Sequence, residues 1–155
     1  MDLFTKLTEV YKNYDVKTES DNGIKYFVII NPFWEENIRI SYEDGIIFYF
    51  SFQHAHFDYY DSFDEDVDCL IEYTDTFLNE ERVVIEFSQE GENLFGGDRY
   101  KKDIDITSVK SLLKIFTDDN KSLYKFIYKK LKGFTCRCSI CSWNGSSNKN
   151  IDFIL

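Results

Sequence analysis

Apolar residues at Leu3, Leu7, Val10, Tyr11 and Tyr14 recur with the spacing of one helical face, and Asp2 stands where its carboxylate can cap the first turn. Beyond them the period shortens to that of strands. "VKTES" and "IKYFVIIN" flank Asn22-Gly23, a dipeptide that supplies the positive backbone angles of a tight hairpin, and Pro32 with "FWEEN" interrupts the chain before "IRISY". After the turn Asp44-Gly45 comes "IIFYFSFQHAHF", which reads as one aromatic strand emerging from the core. Val67, Leu70, Ile71, Thr74, Phe77 and Leu78 form a helical stripe preceded by the capping-box pair Ser62 and Glu65.

"RVVIEF" and "ENLF" predict a hairpin through Glu90-Gly91, with Gly96-Gly97 as a bulge or strand end. Val109, Leu112, Leu113 and Phe116 predict a short helix, "SLYKFIYKKLK" a second helix ending before Gly133, and "FTCRCSICSW" with "IDFIL" a closing hairpin. No repeat or linker interrupts the series. The pattern predicts one α+β domain over residues 1–155, with a mostly antiparallel meander sheet and helices packed on one face.

Composition changes this picture little, but it excludes disorder: 15 Phe and 11 Tyr are far more than a disordered chain of this length carries. No apolar run approaches the roughly 18 residues that cross a bilayer, and "MDLFTKLTEVYKNYD" has polar residues every few positions where a signal peptide has an apolar core. The expectation is a cytoplasmic protein without a membrane partner, its four cysteines free thiols. A single Ala beside abundant Ile, Lys, Asn and Phe matches the bias of AT-rich bacterial genomes.

Charge changes the picture more. From Asp58 to Glu81, 24 residues hold ten acids and no Lys or Arg, while the other 131 hold 18 acids and 18 bases, so this segment carries the whole net charge of −10. At 100° per residue Glu65, Asp68, Glu72 and Asp75 fall on one side of the helix, away from its apolar stripe. Acids in the first turn suit the helix dipole; later ones repel one another, so stability does not account for them. Solubility is one explanation and a landing site for a basic partner is the other. Tyr59 and Tyr60, set between Asp58 and Asp61 just before the ridge, favour the second, because tyrosine anchors ringed by charge are typical interface hot spots. The expected partner-binding residues are Asp58, Tyr59, Tyr60, Asp61, Asp64, Glu65, Asp68, Glu72 and Asp75.

This Tyr-Tyr pair amid acids resembles the immunity proteins that neutralise nuclease colicins, in surface chemistry and not in fold, since those are shorter and all-helical. "YFSFQHAHFDYY", "LIEYTDTFLNEERVVIEF" and "LFGG", within residues 45–97, resemble the α+β immunity families found beside polymorphic or contact-dependent toxins. The resemblance implies a non-enzymatic antitoxin whose acidic face covers a basic toxin domain. It implies no cofactor.

The alternative chemistry lies at His54 and His56. In an extended chain they share a face with Phe48, Phe50 and Phe52, and Asp58 continues the alternation, so a small metal-binding domain or metal-dependent enzyme could be centred on these three residues. An amidohydrolase barrel of about 250 residues is too long for this chain. Cys138 and Cys141 make a CxxC, but strand geometry sends Cys136 and Cys138 to one face and Cys141 to the other, which favours core packing over zinc. No phosphate-binding glycine loop, GxSxG, HExxH or EF-hand spacing is present, and among so many carboxylates no acid-base pair stands out. The net charge disfavours nucleic acid. Arg99 to Lys132 holds ten bases against four acids, which could meet acids of another copy, and the oligomeric state stays open.

Overall fold

Asn22 and Gly23 sit at φ 50° and 82°, the paired left-handed angles of a two-residue hairpin turn, and fold Val16–Asp21 (β1) back on Ile24–Ile29 (β2). The computed structural model describes residues 2–58 and 61–154, with Leu123 and Tyr124 by their backbone alone. Helices and antiparallel sheets make it α+β, as the sequence predicts, but the strands divide between two sheets and the chain between two compact units, Met1–Asn79 and Glu80–Leu155.

In the first unit, β1 and β2 continue through Ile38–Tyr42 (β3), Ile46–Phe50 (β4) and Gln53–Phe57 (β5) as a five-stranded meander. Leu3–Val10 (α1) and Phe63–Leu78 (α2) cover one face of it. Asp2 caps α1 by accepting from the Thr5 N–H at 3.0 Å, and Ser62 caps α2 through the Glu65 N–H at 3.2 Å. Phe4 of α1 and Tyr11, its C-cap, lean on Phe27, while Tyr73 and Phe77 of α2 enclose Phe48.

One strand prediction is corrected. The aromatic run from Phe48 to His56 is two strands, because Ser51, at φ 53°, turns the chain so that Phe50 pairs with Gln53 and Tyr49 with His54. The reversal puts His54 and His56 with Ile47 and Tyr49, on the face opposite Phe48 and Phe50, and leaves Phe52 exposed at the tip.

The second unit is built on Arg82–Gln89 (β6), Glu92–Tyr100 (β7), Thr135–Cys141 (β8) and Lys149–Ile154 (β9), ordered β7-β6-β8-β9, with Val109–Asp118 (α3) and Lys121–Leu131 (α4). Val83, Ile85 and Phe87 of β6, with Cys138 and Ile140 of β8, meet Leu112, Leu113 and Phe116 of α3 in its core. Gly96 lies inside β7 and does not end it. A Cβ there would stand 2.3 Å from the Ile85 carbonyl oxygen, so only glycine lets the strands approach; Gly96 itself pairs in register with Glu86, and the register shift lies at Leu94, the extra residue opposite the Phe87–Ser88 step.

On the other face of β6, Arg82 pairs with Asp98, and Glu86 is 5% exposed with, among the described residues, no hydrogen-bond partner on either carboxylate oxygen. Burial raises the Glu86 pKa above its ordinary value. The folded chain therefore holds a proton that the unfolded chain has already released, over the window just above the usual Glu range. Stability falls as pH climbs through that window and the buried group must charge. Glu86→Gln should raise stability at pH 7 by on the order of 1 kcal/mol and change it little at pH 4, read as melting temperature at both pH values. Destabilisation at pH 7 would show that the carboxylate is satisfied.

Candidate functional site

Tyr42 ends β3 with 53% of its surface exposed, and Phe63 opens α2 with 37% exposed; their rings meet edge to face with centroids 5.4 Å apart. Two large aromatics left in water beside each other, at the junction of a strand end and a helix start, are not required by the core beneath them. Acids frame the pair in the chain: Glu43 and Asp44 follow Tyr42, and Asp61 and Asp64 flank Phe63 at positions 61 and 64, all four exposed. Asp58, also exposed, comes to the same turn, its Cβ packed where a Cβ on Gly45 would stand 3.1 Å away. At φ 130° Gly45 is also in the region that favours glycine.

From this corner the acidic side of α2 continues through Glu65, Asp68 and Glu72, all exposed. Asp68 is tied to Lys6 of α1 at 3.1 Å, an exposed pair of the kind that contributes little to stability. Asp75 departs from the ridge. It is half-buried and accepts a hydrogen bond from the Tyr11 hydroxyl at 3.2 Å, and desolvation raises its pKa despite that bond. The reason is angular: Asp75 lies one turn after Ile71, at the edge of the apolar stripe, on the side where α1 packs. Tyr59 and Tyr60 lie outside the described residues.

This surface offers ring faces and ionised acceptors, which together receive cations: a guanidinium or ammonium can lie over a ring while carboxylates take its N–H donors. Sequence reasoning missed Tyr42 and Phe63. Phe63 reads as the first residue of the helix and Tyr42 as the end of a strand, and only the packing of the start of α2 at the end of β3 brings them together. The available signal was an aromatic at each element end with acids beside it.

His54 and His56 stand side by side on the exposed face of β5, ring centroids 5.5 Å apart, with Tyr49 6.5 Å from His54. Among the described residues no group of three or more His, Cys, Asp and Glu comes together to hold a metal ion, so the structure does not join Asp58 to this pair as a third ligand. Cys136 and Cys138 are buried on the core face of β8, while Cys141 points the other way and is half-buried, as is Cys69; none of the four is in a disulfide. Burial pushes the Cys138 thiol up to about 12, against the weaker pull of Lys149, and raises Cys136 as well. In the native protein Cys136 and Cys138 should therefore resist a thiol reagent until unfolding, with Cys69 and Cys141 reacting first. Mass-spectrometric mapping of the labelled sites checks this, and fast native labelling of Cys138 would overturn its core assignment.

No protein-family model, curated protein or solved structure matches the chain.

Proposed function

We propose that this chain is a binding protein of the toxin-immunity type, which covers a basic protein partner with the acidic face of its first unit. On this reading Tyr42 and Phe63 are the anchors, Asp58, Asp61, Asp64, Glu65, Asp68 and Glu72 form the rim, and Tyr59 and Tyr60 remain partner-binding residues expected from the sequence.

One observation carries the reading: three of the chain's four arginines each lie over a ring and pair with an acid, while the fourth, Arg137, pairs with Asp152. Arg39 lies over the Tyr26 ring at 4.0 Å and pairs with Glu19 at 3.0 Å. Arg82 lies over Tyr100 at 4.1 Å and pairs with Asp98. Arg99 lies over Phe116 at 4.2 Å and pairs with Asp119 at 2.7 Å. Tyr42 and Phe63 repeat the ring-and-carboxylate half of this arrangement at the surface, and among the described residues no Lys or Arg supplies the other half. An arginine or lysine from a partner fits it. The first unit as a whole has 17 acids against five bases, a net of −12, whereas the second has 11 against 13, a net of +2. A basic partner is thus drawn to the unit that carries the aromatic pair.

The test uses the protein encoded beside this chain's gene as the first candidate partner, with association followed in real time at low and high salt. Tyr42→Ala or Phe63→Ala should each weaken binding by about thirtyfold, mainly through faster dissociation. Glu65→Gln, Asp68→Asn and Glu72→Gln together should slow association at low salt, with the deficit shrinking at high salt. Melting temperatures measured alongside separate lost binding from lost folding. Variants that stay folded and bind a confirmed partner normally would remove Tyr42 and Phe63 from the interface, and affinity indifferent to salt would remove the acidic rim.

A further inference from the structure

The second unit contains a trough of about 730 Å³ framed by α3, α4 and the end of β9. Its volume lies within the range of small-molecule sites, roughly 300 to 1,000 Å³. Val109 and Leu113 of α3, Tyr128 of α4, and Phe153 and Ile154 of β9 supply apolar lining. Tyr128 and Ile154 are 41% and 68% exposed, so the trough is open to water. Lys110 and Lys114, one turn apart on α3, and Lys121 at the start of α4 bring three ammonium groups to the same trough, against one carboxylate, Asp118.

From this combination we infer a binding site for a single-chain amphiphile: an alkyl body along the apolar lining and an anionic head, carboxylate or phosphate, among the three lysines. The two halves of the lining each reject the simpler occupants. A small inorganic anion would leave the apolar side chains in water, and a neutral hydrocarbon would leave the lysines without a partner. The acidic helix α2 of a second copy does not fit either, because its own apolar stripe of Val67, Leu70 and Phe77 is buried in its unit and only carboxylates remain to offer. The first turn of α4 adds positive potential to that of Lys121.

Dodecanoate, dodecyl phosphate, dodecanol and acetate, each below any micelle concentration, distinguish the parts of this assignment when the methyl NMR signals of Val109, Leu113 and Ile154 are followed. Dodecanoate or dodecyl phosphate should shift these methyls in a saturable way, the stronger of the two naming the head group, and dodecanol should bind at least about tenfold more weakly. Lys114→Glu with Lys121→Glu should weaken the better amphiphile by about tenfold or more, and Asp118→Asn should tighten it by about twofold. Because all three positions are exposed, the variants should fold; should the double variant fail to, Asp118→Asn and the ligand series decide alone. Equal binding of dodecanol, equal binding of acetate, no saturable shift, or affinity unmoved by the substitutions would each overturn the site. An acidic amphipathic peptide that shifts the same methyls while dodecanoate does not would overturn it in favour of a protein ligand.

Discussion

Phe77 lies stacked on Phe48 with centroids 5.3 Å apart and edge-on to Phe50 at 5.4 Å, and Tyr73 closes on Phe48 at 5.0 Å. The acidic face of the first unit depends on this cluster. α2 carries six acids and no base, and its carboxylates at 64 and 68, 68 and 72, 65 and 68, and 72 and 75 are helical neighbours of like sign. At roughly 0.2 to 0.5 kcal/mol a pair, that repulsion amounts to about 1 to 2 kcal/mol. Full burial of Val67, Leu70 and Phe77 contributes about 5 to 9 kcal/mol, before the edge-to-face contacts are added. Packing therefore wins by a wide margin. A helix so held can present acids to water without losing its place, which is what a steering surface needs.

The arginines show a second economy of design. Lysine would serve less well in their place: a guanidinium is planar, so it can lie flat on a ring while its edge donates to a carboxylate, whereas an ammonium is a compact, strongly hydrated point charge. The pairing also fixes register. Arg39 on β3 lies over Tyr26 of β2 and pairs with Glu19 of β1, joining three strands on one face of the meander, and Arg82 on β6 pairs with Asp98 of the neighbouring β7. Desolvating an arginine is costly, and the ring and the acid together offset that cost better than either alone.

Much of the fold was legible because the local rules were unopposed. Asn22-Gly23 turns with the left-handed angles its residues favour, Gly91 marks the turn that Glu90 opens, and Asp2 and Ser62 cap the helices that periodicity locates. Ser51-Phe52 was not legible, since neither residue announces a positive φ; the turn is set by the pairing of Tyr49 with His54 and Phe48 with Ala55 on its two sides. Nor does periodicity distinguish one sheet from two, because an antiparallel strand reads alike in either. At the surface, the acidic ridge was visible as composition, but its limit at Glu72 depends on α1 bringing Tyr11 to Asp75, and Tyr42 meets Phe63 only through the fold.

The uneven division of charge has a physical consequence of its own. Screening at physiological ionic strength reduces the influence of an exposed charge beyond about 8 Å, so a distant acid contributes little to any one contact. What twelve uncompensated charges on 79 residues can do is raise the local concentration of a cationic partner over the whole unit and set the orientation in which it arrives. Such a field discriminates poorly between cationic surfaces, and selectivity has to come from features of short range. An exposed ring pair is of that kind: its attraction for a guanidinium acts within about 6 Å of the ring centroid and requires the cation to lie over the face. Long-range charge without such a pair would bind basic proteins indiscriminately, and the pair without the charge would be found slowly. The corner where β3 ends and α2 begins is where the first unit has both.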